Sequence, residues 1–336
     1  MIDVNVSVSG IIMCCDESLC GLTLGNGYTI KKCDLNSLPF KDKITDGQGH
    51  LNTDYFGSCI IEDENVFFIC IQKNDTIQID GPRFNASKPV ITDRDLMCKD
   101  GTEQYMESEM QYLYERINLL RIFKFGNIGF RDVFFLYSFT TMGFFKNTVN
   151  FCNHNQSRNT IEDRKFTLSE PEIASCNQWL NDYCSEPYAL LENSINEFSW
   201  GLEQIDIPTG FEQYTTTLEM LLLPQNQPGK KQMLANRISA MLGNTPTEIQ
   251  MLHQKVLDFY RFRSESLHDG NGSNITISEL HELENITRAV LKKCLVHCKA
   301  EYSSNPHVTW DEIKDSIANR LIVKVTSLKN AGILPA

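Results

Sequence analysis

The chain has no run of eighteen apolar residues, the length a helix needs to cross a bilayer, so no membrane span is expected. Nor does Met1-Ile-Asp-Val-Asn5 offer a basic stretch followed by an apolar one, which argues against a secretory signal and for the cytoplasm as the expected compartment. Outside a secretory route the Asn-x-Ser/Thr sites at Asn274 and Asn285 carry no glycan.

Metal-ligand spacing is lacking too. Among twelve cysteines no Cys-x-x-Cys pair occurs and most sit singly in apolar runs, a pattern of buried thiols rather than of a zinc or disulfide framework. Cys294, His297 and Cys298 share one helical stretch, but a second cluster to complete a zinc site is missing. His281-Glu-Leu-Glu-Asn285 begins like a zinc-protease helix and then has Asn where the second ligand belongs. Neither a metal nor another cofactor is therefore expected. Gly25-Asn-Gly27 is followed by no basic residue or helix at phosphate-loop spacing, so it reads as a hairpin turn. No internal repeat is visible.

Positive charge is scarce as well. Lys and Arg number 31 against 43 Asp and Glu, and the resulting net charge of −12 lies almost wholly in residues 1–200. A broad basic face for indiscriminate nucleic-acid binding is not expected, because phosphate affinity comes mainly from Lys and Arg. The near-neutral remainder leaves room for a local site, where Lys230, Lys231, Arg237 and Arg261 are either RNA-binding candidates or an ordinary solvated helix surface.

What is present is enough apolar residue for a real core, 41% over 336 residues, and a length that suits about two domains. Residues 1–100 show short alternating runs (4–13, 28–32, 59–61, 66–72 and 76–79) broken by Gly25-Asn-Gly27 and Asp80-Gly-Pro82, which predicts a β-rich domain. Residues 101–185 form a mixed α/β connecting region: a helix from Thr102 to Phe123, an aromatic-rich stretch at 129–142 that fits a buried strand or a helix, a polar linker at 147–165, and a helix starting at Ser169. After Tyr188 the pattern is helical, with expected helices at 188–202, 212–223, 231–242, 246–268, 278–300 with Ser278 as N-cap, and 309–322. The fold class is therefore α+β, a β-rich domain followed by an all-α bundle over 186–325, with residues 326–336 as a tail.

The helix at 246–268 carries the chemistry. Thr245-Pro246-Thr247-Glu248 supplies an N-cap, Pro at the first helical position and Glu at the third. Ile249, Leu252, Val256, Phe259, Arg263 and Leu267 then follow helical spacing, so Arg263 lies in a largely apolar stripe and calls for a partner. Glu219 either pairs with it in the interior or is a plain exposed helix residue. Asp269-Gly-Asn-Gly272 predicts the stop, placing His268 in the last turn, where the carbonyl ends favour imidazolium.

Arg263-Ser264-Glu-Ser-Leu-His268 resembles the Arg, four residues, His motif of the HEPN superfamily, and the Apea-like HEPN branch is the closest in pattern. Tyr214 to Leu223 resembles that branch's leucine-rich Leu-Glu helix, Met233 to Leu242 its following short helix, and Phe259-Tyr260 the residues before the motif. The resemblance covers residues 186–325. It implies a helical domain that forms a homodimer, pooling two Arg and two His around one cleft. That pooling suits the geometry, since five residues along one helix set the two side chains roughly 140° apart.

The activity the resemblance implies is a metal-independent endoribonuclease. His268 exchanges a proton with the RNA 2′-hydroxyl or the leaving 5′-oxygen, and Arg263 holds the phosphate, leaving 2′,3′-cyclic phosphate and 5′-hydroxyl ends. Ser264 stands where many members carry Asn, Asp or His, and Ser is usual for the Apea-like branch. RNA, with tRNA one candidate, is the expected substrate, and a role in phage defence or a toxin-like system with a regulatory protein partner is implied. The alternative is a HEPN module that dimerises and binds RNA, a nucleotide or a protein without cutting. A third reading is a structural interaction protein that binds through its β-rich domain.

Overall fold

In the computed structural model the structure describes residues 2–38, 40–46, 67–79, 101–141, 144–153, 164–204, 206–224, 228–269 and 275–335. The protein is α+β and divides into two units. The first comprises Met1–Ile117, Gly126–Arg158 and Asp163–Leu180, and the second Asn118–Phe125, Asn159–Glu162 and Asn181–Ala336.

The first unit is built on five antiparallel strands: β1 (Ile2–Met13), β2 (Thr29–Asp34), β3 (Phe67–Ile79), β4 (Gly129–Thr141) and β5 (Phe144–Asn153), in the order β2-β3-β1-β4-β5. In β1 the branched residues Val4, Val6 and Val8 alternate with Asn5 and Ser7, and the valines are buried on one face with Phe135 and Tyr137 of β4 in register opposite Val8 and Val6. Helix α1 (Gly101–Phe123) serves that face, where the Tyr137 hydroxyl donates to the Thr102 carbonyl and Tyr105 meets Phe135 edge-on. The opposite face is filled by Ile11, Phe40, Phe68, Cys70 and Phe134, with Phe40 and Phe134 stacked at 4.0 Å.

A turn with left-handed backbone at Gly25, Asn26 and Gly27 leads into β2. It delivers Tyr28 beside Lys73 of β3, whose buried ammonium pairs with Glu109 of α1 at 2.7 Å and with Asp75 at 3.1 Å. The stretch at 129–142, which the sequence leaves open between strand and helix, is strand β4. It and β5 belong to the same sheet as β1, so strands from the connecting region complete the β-rich unit. The run at 59–61, the turn at 80–82 and residues 154–163 of the expected polar linker lie outside the described residues, while its first part, 147–153, is not loop but strand in β5.

Helix α2 (Glu170–Tyr183) is followed by α3 (Glu186–Leu202), α4 (Ile207–Leu222), α5 (Lys230–Leu242), α6 (Pro246–Asp269), α7 (Ile277–Ser304) and α8 (Trp310–Asn330). Aromatic and aliphatic side chains meet at the centre of the second unit: Phe198 of α3 packs on Tyr214 of α4, and Phe211 of α4 is edge-on to Phe259 of α6. Two cations on α7 close the end of α1, the Arg288 Nε donating to the Arg121 carbonyl at 2.9 Å and the Lys292 ammonium to the Phe123 carbonyl at 2.6 Å. Arg288 is itself held by buried Glu284 on the preceding turn.

Caps set the boundaries. Asp206 accepts from the Thr209 amide at 2.9 Å to start α4, and Thr309 with Glu312 forms a reciprocal capping box at α8. Ser278 is not the N-cap of α7: Thr276 is, in a capping box with Glu279. Thr276 has an acidic residue at the third helical position, and Ser278 does not. The expected tail at 326–336 is in part helix, since α8 runs to Asn330 and Leu334 folds back so that its amide reaches the Leu328 carbonyl.

Candidate functional site

Helix α6 starts where its sequence predicts. The Glu248 amide donates to the Thr245 hydroxyl at 3.2 Å, while the Glu248 carboxylate reaches one residue further back, to the Asn244 amide at 2.9 Å. Gly243 makes the entry close-packed: a methyl there would lie 2.5 Å from Ile249 Cγ1 and 2.9 Å from the Ser239 carbonyl. Down the stripe Ile249, Val256 and Phe259 are buried, and Arg263 follows on the same face.

Arg263 meets Glu219 of α4. The guanidinium Nη1 lies 2.6 Å from Oε1 of the carboxylate, with the two side chains 19% and 17% exposed, so the pair is sheltered without being sealed. Lys230, at the first turn of α5, approaches the other oxygen of Glu219 at 3.8 Å. One carboxylate thus serves two cations, and the cluster carries net positive charge. The Arg263 Nε is buried with no acceptor among the described residues. Tyr260, one turn earlier on α6, places its ring 5.8 Å from the guanidinium. Burial and then the Glu219 carboxylate push its phenol above the ordinary range, with Arg263 pulling it back.

The other candidates divide. Ser264 is exposed beside the pair. His268 lies in the last turn of α6, as its spacing predicts, but its side chain and the stop at Gly270 to Gly272 lie outside what the structure describes. Arg261 is exposed and matched by acids of its own helix, Asp258 at 3.4 Å and Glu265 at 3.8 Å. Lys231 is exposed on α5. Arg237, on the same helix, is instead buried and donates to the Leu222 carbonyl at the end of α4. Of the four proposed RNA-binding cations, Lys230 alone joins the Glu219–Arg263 cluster among the described contacts.

Two further residues of this helix, Tyr260, read from sequence only as part of the motif's lead-in, and His253, which carries no sequence signal, gain their roles from the structure. Tyr260 sits three positions before Arg263, a spacing that puts both on one face. His253 is buried between Ile249 and Val256 in the apolar stripe, its Nε2 lying 2.7 Å from the Gln232 amide nitrogen. Burial, and then Lys329, hold its imidazole below the ordinary histidine range, which favours the neutral ring.

No group of three or more His, Cys, Asp or Glu among the described residues is arranged to hold a metal ion. Cys294 and Cys298 are fully buried, and burial pushes the Cys298 thiol up to about 12. His297 is engaged by Glu301 at 3.4 Å. Among the described residues no helix is long and apolar enough to cross a membrane. No family model, curated protein or solved structure matches this chain.

Proposed function

We propose that the chain is a metal-independent endoribonuclease of HEPN type, acting as a homodimer in the cytoplasm, with phage defence or a toxin-like system as its setting. One observation carries the reading: Arg263 is fixed by Glu219 in a net-positive, partly sheltered cluster, about 1.4 helical turns before His268 at the end of the same helix. The His268 imidazole takes the proton of a 2′-hydroxyl, the freed oxygen attacks the adjacent phosphorus, and the 5′-oxygen leaves with a proton from the second imidazole of the dimer. Arg263, with Lys230 beside it, balances the charge that builds on the phosphoryl oxygens. A fixed guanidinium costs little reorganisation as that charge develops. DNA lacks the internal nucleophile and is not cut.

The same ion pair favours a second reading, in which Arg263 is a strut between α4 and α6 and the domain dimerises and binds RNA, a nucleotide or a protein without cleavage. Incubating the purified protein with total RNA and with a tRNA pool in excess chelator separates the two, with His268→Ala and Arg263→Ala alongside. Cyclic-phosphate ends produced by the wild type and absent from both variants are expected. Intact RNA throughout, with the protein still dimeric, would replace the nuclease by the binding module.

A further inference from the structure

A second site lies on the helical unit, in a cavity of about 770 Å³ between the C-terminal end of α4 and helices α5 and α8. That volume suits a small organic ligand. Its chemistry is uneven. Arg237 lines it with a side chain only 7% exposed, and among the described residues the hydrogen bond of Arg237 goes to a neutral acceptor, the Leu222 carbonyl. No carboxylate forms an ion pair with Arg237, with Lys314 or with Lys329 among the described residues, although all three line the cavity. A sheltered guanidinium facing two ammonium groups, without a counter-charge in contact, is costly in an otherwise well-paired fold.

The nearest acids do not remove that cost. Asp311 and Asp315 line the cavity from α8 but are exposed, on the side of water. Burial pushes the Lys314 ammonium below the ordinary lysine range; Asp311 and Asp315 pull it back, and Arg237 pushes it further down. The remaining walls are apolar in part. Met233 of α5 and Val325 of α8 contribute, as does Ile322, which is 51% exposed in a position where an isoleucine gains from being covered.

We propose that this cavity binds a small organic anion with an apolar body. Its carboxylate, sulfonate or phosphate group sits between Arg237 and Lys314, supplying the missing counter-charge, and its apolar part covers Ile322 and Val325. The site shares no lining residue with the Glu219–Arg263 cluster and does not rest on the ribonuclease reading.

Anilinonaphthalene sulfonate has both halves of this chemistry and reports binding by fluorescence; its uncharged analogue N-phenylnaphthylamine has the apolar half alone. Titrating each into the full-length protein is expected to give one sulfonate site per chain. That site is weakened roughly tenfold in Lys314→Gln and in Ile322→Asp, unchanged in Trp200→Ser, and displaced by octanoate. The uncharged analogue is expected to bind more weakly and to be indifferent to Lys314→Gln. Arg237→Ala strips the partner from the Leu222 carbonyl and can unfold the end of α4, so Lys314→Gln, with its helicity checked by circular dichroism, carries the test. Equal affinity for the two probes, or a sulfonate titration unmoved by Lys314→Gln and Ile322→Asp, would overturn the assignment.

Discussion

Glu219 and Arg263, 44 residues apart in the chain, are joined by a 2.6 Å ion pair that links α4 to α6 in the candidate site. At 17% and 19% exposure the pair lies between the surface bridges that contribute little and the sealed ones whose rupture is severe. Glu219→Ala and Arg263→Ala, singly and together, should yield a coupling energy of about 1–2 kcal/mol in urea unfolding. If Arg263 acts on phosphate, Glu219→Gln also lowers RNA cleavage while folding persists, because the guanidinium loses the group that aims it. A coupling near zero would mean that the side chains meet without stabilising each other.

The start of α7 distinguishes two neighbouring residues. Thr276 accepts the Glu279 amide and is matched by the Glu279 carboxylate returning to its own amide, whereas Ser278 is already inside the helix. Thr276→Ala is expected to cost about 1 kcal/mol, and Ser278→Ala to stay within about 0.5 kcal/mol. Thermal unfolding of the two variants side by side decides it.

Gly243 is required by contact. An added methyl would meet the Ile249 side chain at 2.5 Å and backbone on two sides, at the Ser239 carbonyl and the Ile249 Cα, so neither neighbour yields easily. Gly243→Ala should destabilise by about 1–3 kcal/mol and, because it pries α5 from the first turn of α6, loosen the helix that carries Arg263. Denaturant unfolding measures the first effect and amide hydrogen exchange in α6 the second.

Acid should weaken the fold through His253. Burial holds its imidazole below the ordinary range, so the unfolded chain takes up the proton first. The stability it protects is present above the ordinary histidine value of about 6.5 and is lost as pH falls below that value towards the depressed one. Protonation also turns its Nε2 from an acceptor of the Gln232 amide into a donor facing a donor. His297, likewise depressed by burial, adds in the same direction. The urea midpoint is therefore expected to fall between pH 7.5 and pH 5.5, and to fall less in His253→Gln.

Much of this was legible in the residues because the signals are local. Thr245-Pro246 with Glu248, and Thr309 with Glu312, mark helix starts by chemistry that acts within one turn, and the stripe from Ile249 to Phe259 fixes the buried face by period alone. Glu219 stayed open because its partner lies 44 residues away, and nothing in a helix period says which helix lies opposite. In the aromatic run Phe130, Val133, Phe134, Phe135 and Tyr137 are buried on both faces of the strand, which blurs the alternation that separates strand from helix. Arg237 reads from sequence as an RNA-binding candidate or a solvated surface cation for a similar reason: what shelters it is the meeting of α5 with α8, far apart in sequence.

Strand β1 lies inside its sheet, with Ile12 opposite Ile69 of β3 and Val4 opposite Phe139 of β4. During synthesis it leaves the ribosome well before β3 and long before β4, so its central position stays empty on both sides until distant chain arrives. Each such closure restricts a long loop before any pairing rewards it, whereas α5 with α6 and α7 with α8 meet across short connections. Refolding is expected to show fast helical and slow sheet phases. A nascent chain halted between β3 and β4 presents the valine-rich β1 as an open edge, the point at which copies of this protein would pair with one another instead of folding.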